Sequence, residues 1–221
     1  EIVDVARTIE SKFGVPAIGV AADLTIPSEI QRLVDESLQK FQRVDILVTN
    51  TGGPPAGQFE NFDREAWQRA TDLLLMSAVD LIRLVLPQMK SNRWGRILNI
   101  TSISVKQPVD NLILSNSLRA AVTGMARTLA NEVAEYGITV NNILPGYTAT
   151  ERVEQLARSA AERQNITVDE ARSTWENQIP MRRLGRPEEF AALAAFLVSE
   201  RAGYITGTSI PVDGGWTRSL L

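Results

Sequence analysis

Residues 96–102 have the sequence RILNITS, and residues 138–146 have the sequence ITVNNILPG. Each contains a short apolar run followed by polar or turn-forming residues, a pattern typical of a buried strand that stops at a loop. Between them, residues 115–136 form an Ala-rich segment with helical periodicity, which Gly137 terminates. A strand, a helix and a strand in this order predict two parallel strands joined by a right-handed crossover.

The same alternation continues toward both ends of the chain. Short apolar runs predict further strands at residues 17–22, 44–48 and 209–212. Apolar residues at helical spacing predict helices at residues 1–12, 27–41, 64–90, 148–178 and 187–199. Asp63 is placed to cap the helix at 64–90. This order predicts a doubly wound, Rossmann-like α/β fold, with helices on both faces of a parallel sheet, in one domain over residues 1–221.

Ligands of such sheets bind at the carboxyl ends of the strands. The loops that follow Ala22, Val48, Ile100 and Ile143 therefore open onto one edge, where we expect the functional site. The charged residues of segment 148–178, Arg152 among them, are interpreted as mostly a solvated helical face.

The composition removes several kinds of chemistry. The 221 residues include no cysteine and no histidine. Disulfides, thiolate nucleophiles, Ser-His-Asp triads and most transition-metal sites are therefore excluded, and we expect no metal. Acid–base chemistry is left to carboxylates, Lys, Tyr, hydroxyls or water.

The charge pattern also limits the partners. The net charge is −3, with both signs spread along the chain and no basic tract of the kind that nucleic-acid binding needs. No apolar run approaches the ~20 residues of a membrane span, and we find no signal peptide. We therefore expect neither nucleic acid nor membrane as a partner, and the lack of cysteine favours a cytoplasmic location.

Five segments follow one another at normal spacing over nearly the whole chain. They are Asp23-Leu24, Asn50-Thr51-Gly52-Gly53, Asn99-Ile100-Thr101-Ser102, residues 141–146 (NNILPG), and the ending 204–215 with its Val212-Asp213-Gly214-Gly215. Together they resemble the short-chain dehydrogenase/reductase family, and within it the bacterial 3-oxoacyl-carrier-protein-reductase-like branch. The resemblance implies an NADP- or NAD-dependent oxidoreductase, and it does not choose between the two cofactors.

The resemblance assigns cofactor contacts residue by residue. Asp23 and the backbone of Leu24 would contact the adenine, although Asp23 also suits a turn cap. The backbone of residues Asn50, Thr51 and Gly52 would approach the ribose, where the alternative is an ordinary glycine turn. Pro145 and Gly146 would turn the chain under the nicotinamide, and Ile100 is a further implied cofactor contact. Arg119 could bind ribose hydroxyls or an anionic group. Thr148 and Thr150 could bind the carboxamide or a phosphate, or instead cap the next helix.

Members of this family begin with a strand, a glycine-rich turn and a helix, and the turn holds the cofactor's pyrophosphate. The sequence contains no such turn, and Glu1 already lies in a helical pattern. We expect this N-terminal unit to be missing from the sequence, either truly absent or only omitted. Segment 148–178 resembles the family's substrate lid.

The resemblance also implies four catalytic positions, of which one holds the expected residue. Ser102 matches the serine that positions a carbonyl. Ser115 stands at the tyrosine position, Arg119 at the lysine position and Leu74 at the asparagine position. An aliphatic hydroxyl is a far weaker acid than a phenol of pKa about 10, and a guanidinium cannot shuttle protons.

Two other side chains are candidates to replace the missing proton donor. Tyr147 would face the same pocket, or form its wall, and Lys106 would reach in, or remain a solvated loop charge. Ser104 is an alternative to Ser102 with a poorer spacing.

Two functions are the main alternatives, and a lyase- or epimerase-like activity on the same scaffold also stays open because fold does not fix function. The first is oxidoreduction of a small carbonyl or alcohol substrate held by Ser102, with the proton supplied by water or an unconventional donor. The second is a catalytically silent protein that binds a dinucleotide or metabolite and acts by association. In either case the resemblance implies a homodimer or homotetramer formed through helices 64–90 and 115–136.

Overall fold

The computed structural model describes residues 2–220 and has a four-stranded parallel sheet at its centre. The strands are β1 (Ile46–Thr49), β2 (Gly95–Ile100), β3 (Ile138–Pro145) and β4 (Ser209–Val212), in the spatial order β1-β2-β3-β4. All three neighbouring pairs run parallel. The prediction of a parallel sheet with the chain crossing over between strands is therefore confirmed.

Eight α-helices accompany the sheet in the described part of the chain. They are α1 (Ile2–Phe13), α2 (Pro27–Phe41), α3 (Arg64–Thr71), α4 (Ser77–Asn92), α5 (Ile113–Val133), α6 (Glu151–Gln164), α7 (Val168–Gln178) and α8 (Pro187–Leu197). None of the helices in residues 2–220 is long and apolar enough to cross a membrane. Glu1, which the first predicted helix includes, lies outside the described residues.

Helices cover both faces of the sheet, because successive residues of a buried strand point in opposite directions. In β2, Ile97 packs into a core cluster that includes side chains of α2, α4 and α5. The next residue, Leu98, belongs to a separate cluster with Leu197 and other side chains of α8. The doubly wound arrangement predicted from the sequence is confirmed.

The predicted strand at residues 17–22 is wrong. This segment has no strand assignment, and its backbone bonds instead to side chains: Ala17 N–H donates to Glu10 and the Ala21 carbonyl accepts from Arg32. A strand needs a neighbour to satisfy its backbone, and within residues 2–220 no strand lies beside this segment. On that side the described sheet ends at β1, whose Ile46 and Val48 are 44 % and 48 % exposed.

The predicted helix at 64–90 is interrupted. Asp63 caps it as expected, accepting a 2.8 Å hydrogen bond from the Ala66 N–H. A π-helical turn at Asp72–Met76 then separates α3 from α4, which continues past Pro87 to Asn92. Such turns widen the helix locally and are frequent at functional sites. Here the turn carries Leu74, which lines a small internal cavity together with Arg119.

The remaining boundaries follow the predicted turn chemistry. After α5 the chain makes one 3₁₀ turn and stops at Gly137, whose φ of +69° is left-handed. A Cβ at this position would lie 2.5 Å from the Arg93 carbonyl oxygen, so a glycine is required. The predicted helical segment 148–178 is two helices, α6 and α7, capped by the hydroxyls of Thr150 and Thr167.

Candidate functional site

The loops that follow β1, β2 and β3 meet at the carboxyl edge of the sheet and enclose a cleft of about 660 Å³. Segments of α5, α6 and α8 complete its walls. Sequence analysis predicted nine of its lining residues as cofactor contacts: Asn50, Thr51, Gly52, Ile100, Arg119, Pro145, Gly146, Thr148 and Thr150. Ser102 and Ser115 line the same cleft.

A row of polar side chains crosses the sheet immediately below the cleft. Thr49 Oγ1 donates a 2.7 Å hydrogen bond to Asn99 Oδ1, and Asn99 Nδ2 donates to Asn142 Oδ1 at 3.1 Å. Asn142 Nδ2 in turn donates to Ser209 Oγ at 3.0 Å. The row joins all four strands, so it fixes the register at the edge from which the site residues project.

Ser102 begins a short 3₁₀ turn at the end of β2, and its backbone is still extended. Its Oγ accepts a 3.1 Å hydrogen bond from the Ser104 N–H, which leaves the hydroxyl proton free to donate into the cleft. Ser104 is only 3 % exposed, its hydroxyl has no partner, and it does not line the cleft. Their placement therefore favours Ser102 over Ser104 as the substrate-positioning serine.

Ser115 and Arg119 lie one turn apart on α5 and are bonded to each other. Arg119 Nε donates to Ser115 Oγ at 3.2 Å, and Nη1 donates to the Ile100 carbonyl at 2.9 Å. Ser115 can still donate its own proton toward the cleft. The arginine thus orients one hydroxyl of the cleft and ties α5 to the end of β2.

The charge of Arg119 is perturbed by its surroundings. Burial lowers the pKa of the Arg119 guanidinium to about 10, and the nearby charge of Arg152 acts in the same direction. A group with this pKa remains protonated at neutral pH, so Arg119 acts as a fixed cation rather than a proton shuttle.

Arg152 is the site residue that sequence analysis missed. The sequence predicts it on a solvated face and Arg152 is indeed exposed, but it lies in the first turn of α6 and also lines the cleft. Its Nη2 donates to the Pro54 carbonyl at 3.1 Å, which connects α6 to the loop after β1. A Cβ on Gly53 would lie 2.9 Å from that nitrogen. The available signal was its position directly after the Thr150 cap, at the cleft end of the helix.

Tyr147 does not face the cleft, contrary to the prediction. Its ring stacks on Trp175 with a centroid distance of 4.7 Å and meets Trp216 edge-on at 6.1 Å. Burial, with a smaller contribution from Asp110, raises the pKa of its phenol. Lys106 is likewise absent from the lining of the cleft. Because Trp175 belongs to α7, these ring contacts pack α7 against the body of the protein and hold the Tyr147 ring among aromatic side chains.

Asp23 and Leu24 also lie away from this cleft. Asp23 Oδ1 accepts hydrogen bonds from the N–H and hydroxyl of Thr25, at 2.9 and 2.7 Å, and these bonds lower its pKa. Leu24 packs against the core formed with α2. Asp23 therefore caps a turn, and its contact with the adenine stays a prediction.

Comparison with known proteins places this arrangement in a family. The model of the family described as Enoyl-(Acyl carrier protein) reductase matches residues 2–217. With relatives above 30 % identity over most of the chain, the protein belongs to the short-chain dehydrogenase/reductase family.

Three relatives illustrate the range of the family. D-beta-hydroxybutyrate dehydrogenase of Rhizobium meliloti is 36 % identical over 199 residues, which cover 89 % of this chain and 76 % of the relative. The 3-oxoacyl-acyl-carrier-protein reductase of Staphylococcus epidermidis is 31 % identical over 211 residues, 96 % of this chain and 82 % of the relative. The structure of L-sorbose reductase from Gluconobacter frateurii, complexed with NADPH and L-sorbose, superposes with a TM-score of 0.93 at 32 % identity, covering 99 % of this chain and 84 % of that one.

Proposed function

We propose that the protein is an NAD(P)-dependent oxidoreductase that interconverts a carbonyl and an alcohol. The observation that carries this proposal is one cleft, at the carboxyl edge of a sheet of this family, that brings together Ser102, Ser115 and Arg119. Its polar groups converge on a space of about 660 Å³, within the usual range of small-molecule sites.

The residues of the cleft suit the nicotinamide half of the cofactor. Gly146 lines the cleft and must be a glycine, because a Cβ there would lie 2.7 Å from Asp213 Cα in the loop after β4. Gly52 has open space where its Cβ would be, so a ligand can approach its backbone closely. Arg119 would bind ribose hydroxyls, and Thr148 and Thr150 would bind the carboxamide or a phosphate.

When bound, the nicotinamide supplies or accepts the hydride. The chain's own part is to hold the substrate and direct a proton. Ser102 Oγ donates a hydrogen bond to the substrate oxygen, and Ser115 Oγ, oriented by Arg119, is placed to donate a second. Neither hydroxyl is acidic enough to release its proton, so in reduction the proton that completes the alcohol comes from water.

A catalytically silent binding protein is the second candidate, and Leu74 favours it. This residue stands where the family places an asparagine, is 4 % exposed, and packs with Ala70, Leu114 and Leu118. It offers no hydrogen bond to a water relay. The two candidates share the cleft and differ in whether a substrate is turned over.

Titration with NADH and NADPH, followed by energy transfer from tryptophan to nicotinamide, tests the oxidoreductase proposal first. Saturable binding justifies a carbonyl-substrate screen, in which Ser102→Ala is expected to lower kcat by about 100-fold because it removes an oxygen-positioning donor. Failure of both cofactors to bind at millimolar concentration would sink the proposal. Binding without turnover of any carbonyl would support the silent alternative.

We also propose that the protein is a cytoplasmic homodimer or homotetramer. A groove of about 430 Å³ between α4 and α5 is lined by side chains of both helices, which are the elements predicted to pair. Its residues include Ile82, Leu86, Gly124 and Leu129. Light scattering on wild type and Gly124→Arg tests this proposal: the variant should be monomeric if these helices pair between subunits.

A further inference from the structure

Two arginines from different elements line the cleft, and the protein gives neither a carboxylate partner. Arg119 comes from α5 and Arg152 from α6. Within residues 2–220 neither forms an ion pair, whereas two other lid arginines, Arg158 and Arg172, both pair with Glu154. The exposed Glu151 also lines the cleft, but it bonds to neither guanidinium.

Both guanidinium groups retain unused donors. A guanidinium has five N–H groups. Arg119 uses one on Nε and one on Nη1, and no acceptor among the described residues meets Nη2. Arg152 uses one donor on Nη2, toward Pro54. The unused N–H groups of each guanidinium form a planar fork whose geometry matches two oxygens of a carboxylate or phosphate.

The charges of the cleft also favour the binding of an anion. The two cations are close enough for the charge of Arg152 to disfavour the charged form of the largely buried Arg119. Like charges in a concave, partly desolvated site repel more strongly than in water, and an anion between them removes that cost.

We propose that the space between Arg119 and Arg152 binds an anionic oxygen group, and that the substrate is a small oxo or hydroxy acid whose carboxylate or phosphate supplies it. This inference rests on the proposed oxidoreductase function. The same chemistry is present in the diphosphate of the cofactor, so the test must separate the two sources.

Calorimetric titration in low-salt buffer without cofactor provides that test. The probes are 3-oxobutanoate, its uncharged isostere pentane-2,4-dione, inorganic phosphate and, in a separate arm, NADH. The variants are Arg119→Gln and Arg152→Gln. Arg158→Gln is the matched control, because it removes the same charge from the exposed side of α6.

We expect 3-oxobutanoate to bind and pentane-2,4-dione not to bind. Each cleft variant should lower the affinity for 3-oxobutanoate by about tenfold or more, which is the scale of a charge-assisted hydrogen bond. The affinity of Arg158→Gln should stay within about twofold of wild type. Arg152→Gln keeps the test valid if Arg119→Gln does not fold, because Arg152 is exposed and, among the described residues, donates a hydrogen bond only to the Pro54 carbonyl.

The NADH arm separates the sources. One outcome is that neither 3-oxobutanoate nor phosphate binds, while both cleft variants have a lower affinity for NADH than Arg158→Gln has. The anion site is then confirmed and its anion is the cofactor's diphosphate. The assignment of an acidic substrate is overturned. If 3-oxobutanoate binds through the arginines and NADH does not bind wild type, the oxidoreductase proposal fails and the anion site stands. Unchanged affinities for every probe in both cleft variants would overturn the inference.

Discussion

Arg119 Nε donates a 3.2 Å hydrogen bond to Ser115 Oγ, one helical turn earlier on α5. The pair stands where the family places a tyrosine and a lysine, and it keeps a hydroxyl and a positive charge in the same relative positions. It lacks an ionisable proton near neutral pH, because a serine hydroxyl is too weak an acid and the pKa of Arg119 is about 10. This arrangement underlies our proposal that the site orients and binds the substrate and that solvent transfers the proton.

Restoring an acid tests this interpretation. We expect the double variant Ser115→Tyr/Arg119→Lys to raise kcat for carbonyl reduction by roughly 100-fold, the usual contribution of a general acid. It should also introduce a pH dependence that the wild type lacks. Ser115→Tyr alone is the control, since it supplies the phenol but keeps Arg119, whose guanidinium holds the charge and cannot take part in proton transfer. An unchanged kcat in the folded double variant would mean that proton transfer does not limit the reaction.

Sequence analysis located the cleft correctly because strand-end loops of a parallel sheet must share one edge. Ser102, Ser115 and Arg119 all reach it. The prediction for residues 17–22 failed because an apolar run forms a strand only beside a strand with which it can pair, and within residues 2–220 no strand lies beside it. The prediction for Tyr147 failed, and the cleft position of the exposed Arg152 was missed, because the direction of a side chain at a loop or helix start depends on packing. Two tryptophans far along the chain, Trp175 and Trp216, hold Tyr147 out of the cleft.

Anion binding should weaken at high pH. The folded-state pKa of Arg119 is about 10, below the usual value of 12.5, and its charged form is the one that attracts a carboxylate. Affinity for 3-oxobutanoate should therefore be constant from pH 7 to about 9 and fall as the pH passes through 10. Isothermal titration at each pH measures this, with circular dichroism to confirm that the fold persists. Deprotonation of Arg119 should not lower the free energy of unfolding, because the native state is stabilised when it loses a disfavoured buried charge.

The Tyr147 ring and its hydroxyl should have separable effects. Tyr147→Phe should leave kcat within about twofold of wild type, since the ring packing is kept and the phenol lies outside the cleft. Tyr147→Ala removes both aromatic contacts and should destabilise the protein by about 3 kcal/mol. Thermal unfolding and steady-state kinetics measure the two effects. If Tyr147→Phe instead slows turnover by about two orders of magnitude, the scale of a lost general acid, the phenol is the missing proton donor.

The polar row beneath the cleft should respond to a change at its centre. Asn99 is fully buried and bonds to both Thr49 and Asn142. The substitution Asn99→Leu therefore leaves the Thr49 hydroxyl and the Asn142 amide oxygen without these partners inside the sheet. We expect a loss of about 2–4 kcal/mol, because buried polar groups without partners keep their full desolvation penalty. For a chain of this size that corresponds to a fall in Tm of roughly 5–15 °C.

The matched control for this prediction is Asn131→Leu, which makes the same chemical change at an exposed position of α5 whose side chain accepts one 3.4 Å hydrogen bond from Arg127. Its Tm should shift by less than about 2 °C, the usual scale for a surface substitution. The cofactor or acid affinity of Asn99→Leu should also fall, because Thr49 and Asn99 hold the ends of β1 and β2 from which Asn50 and Ser102 project. Equal Tm values for the two variants would show that the row contributes nothing to the sheet edge, and the site would then be held by its loops alone.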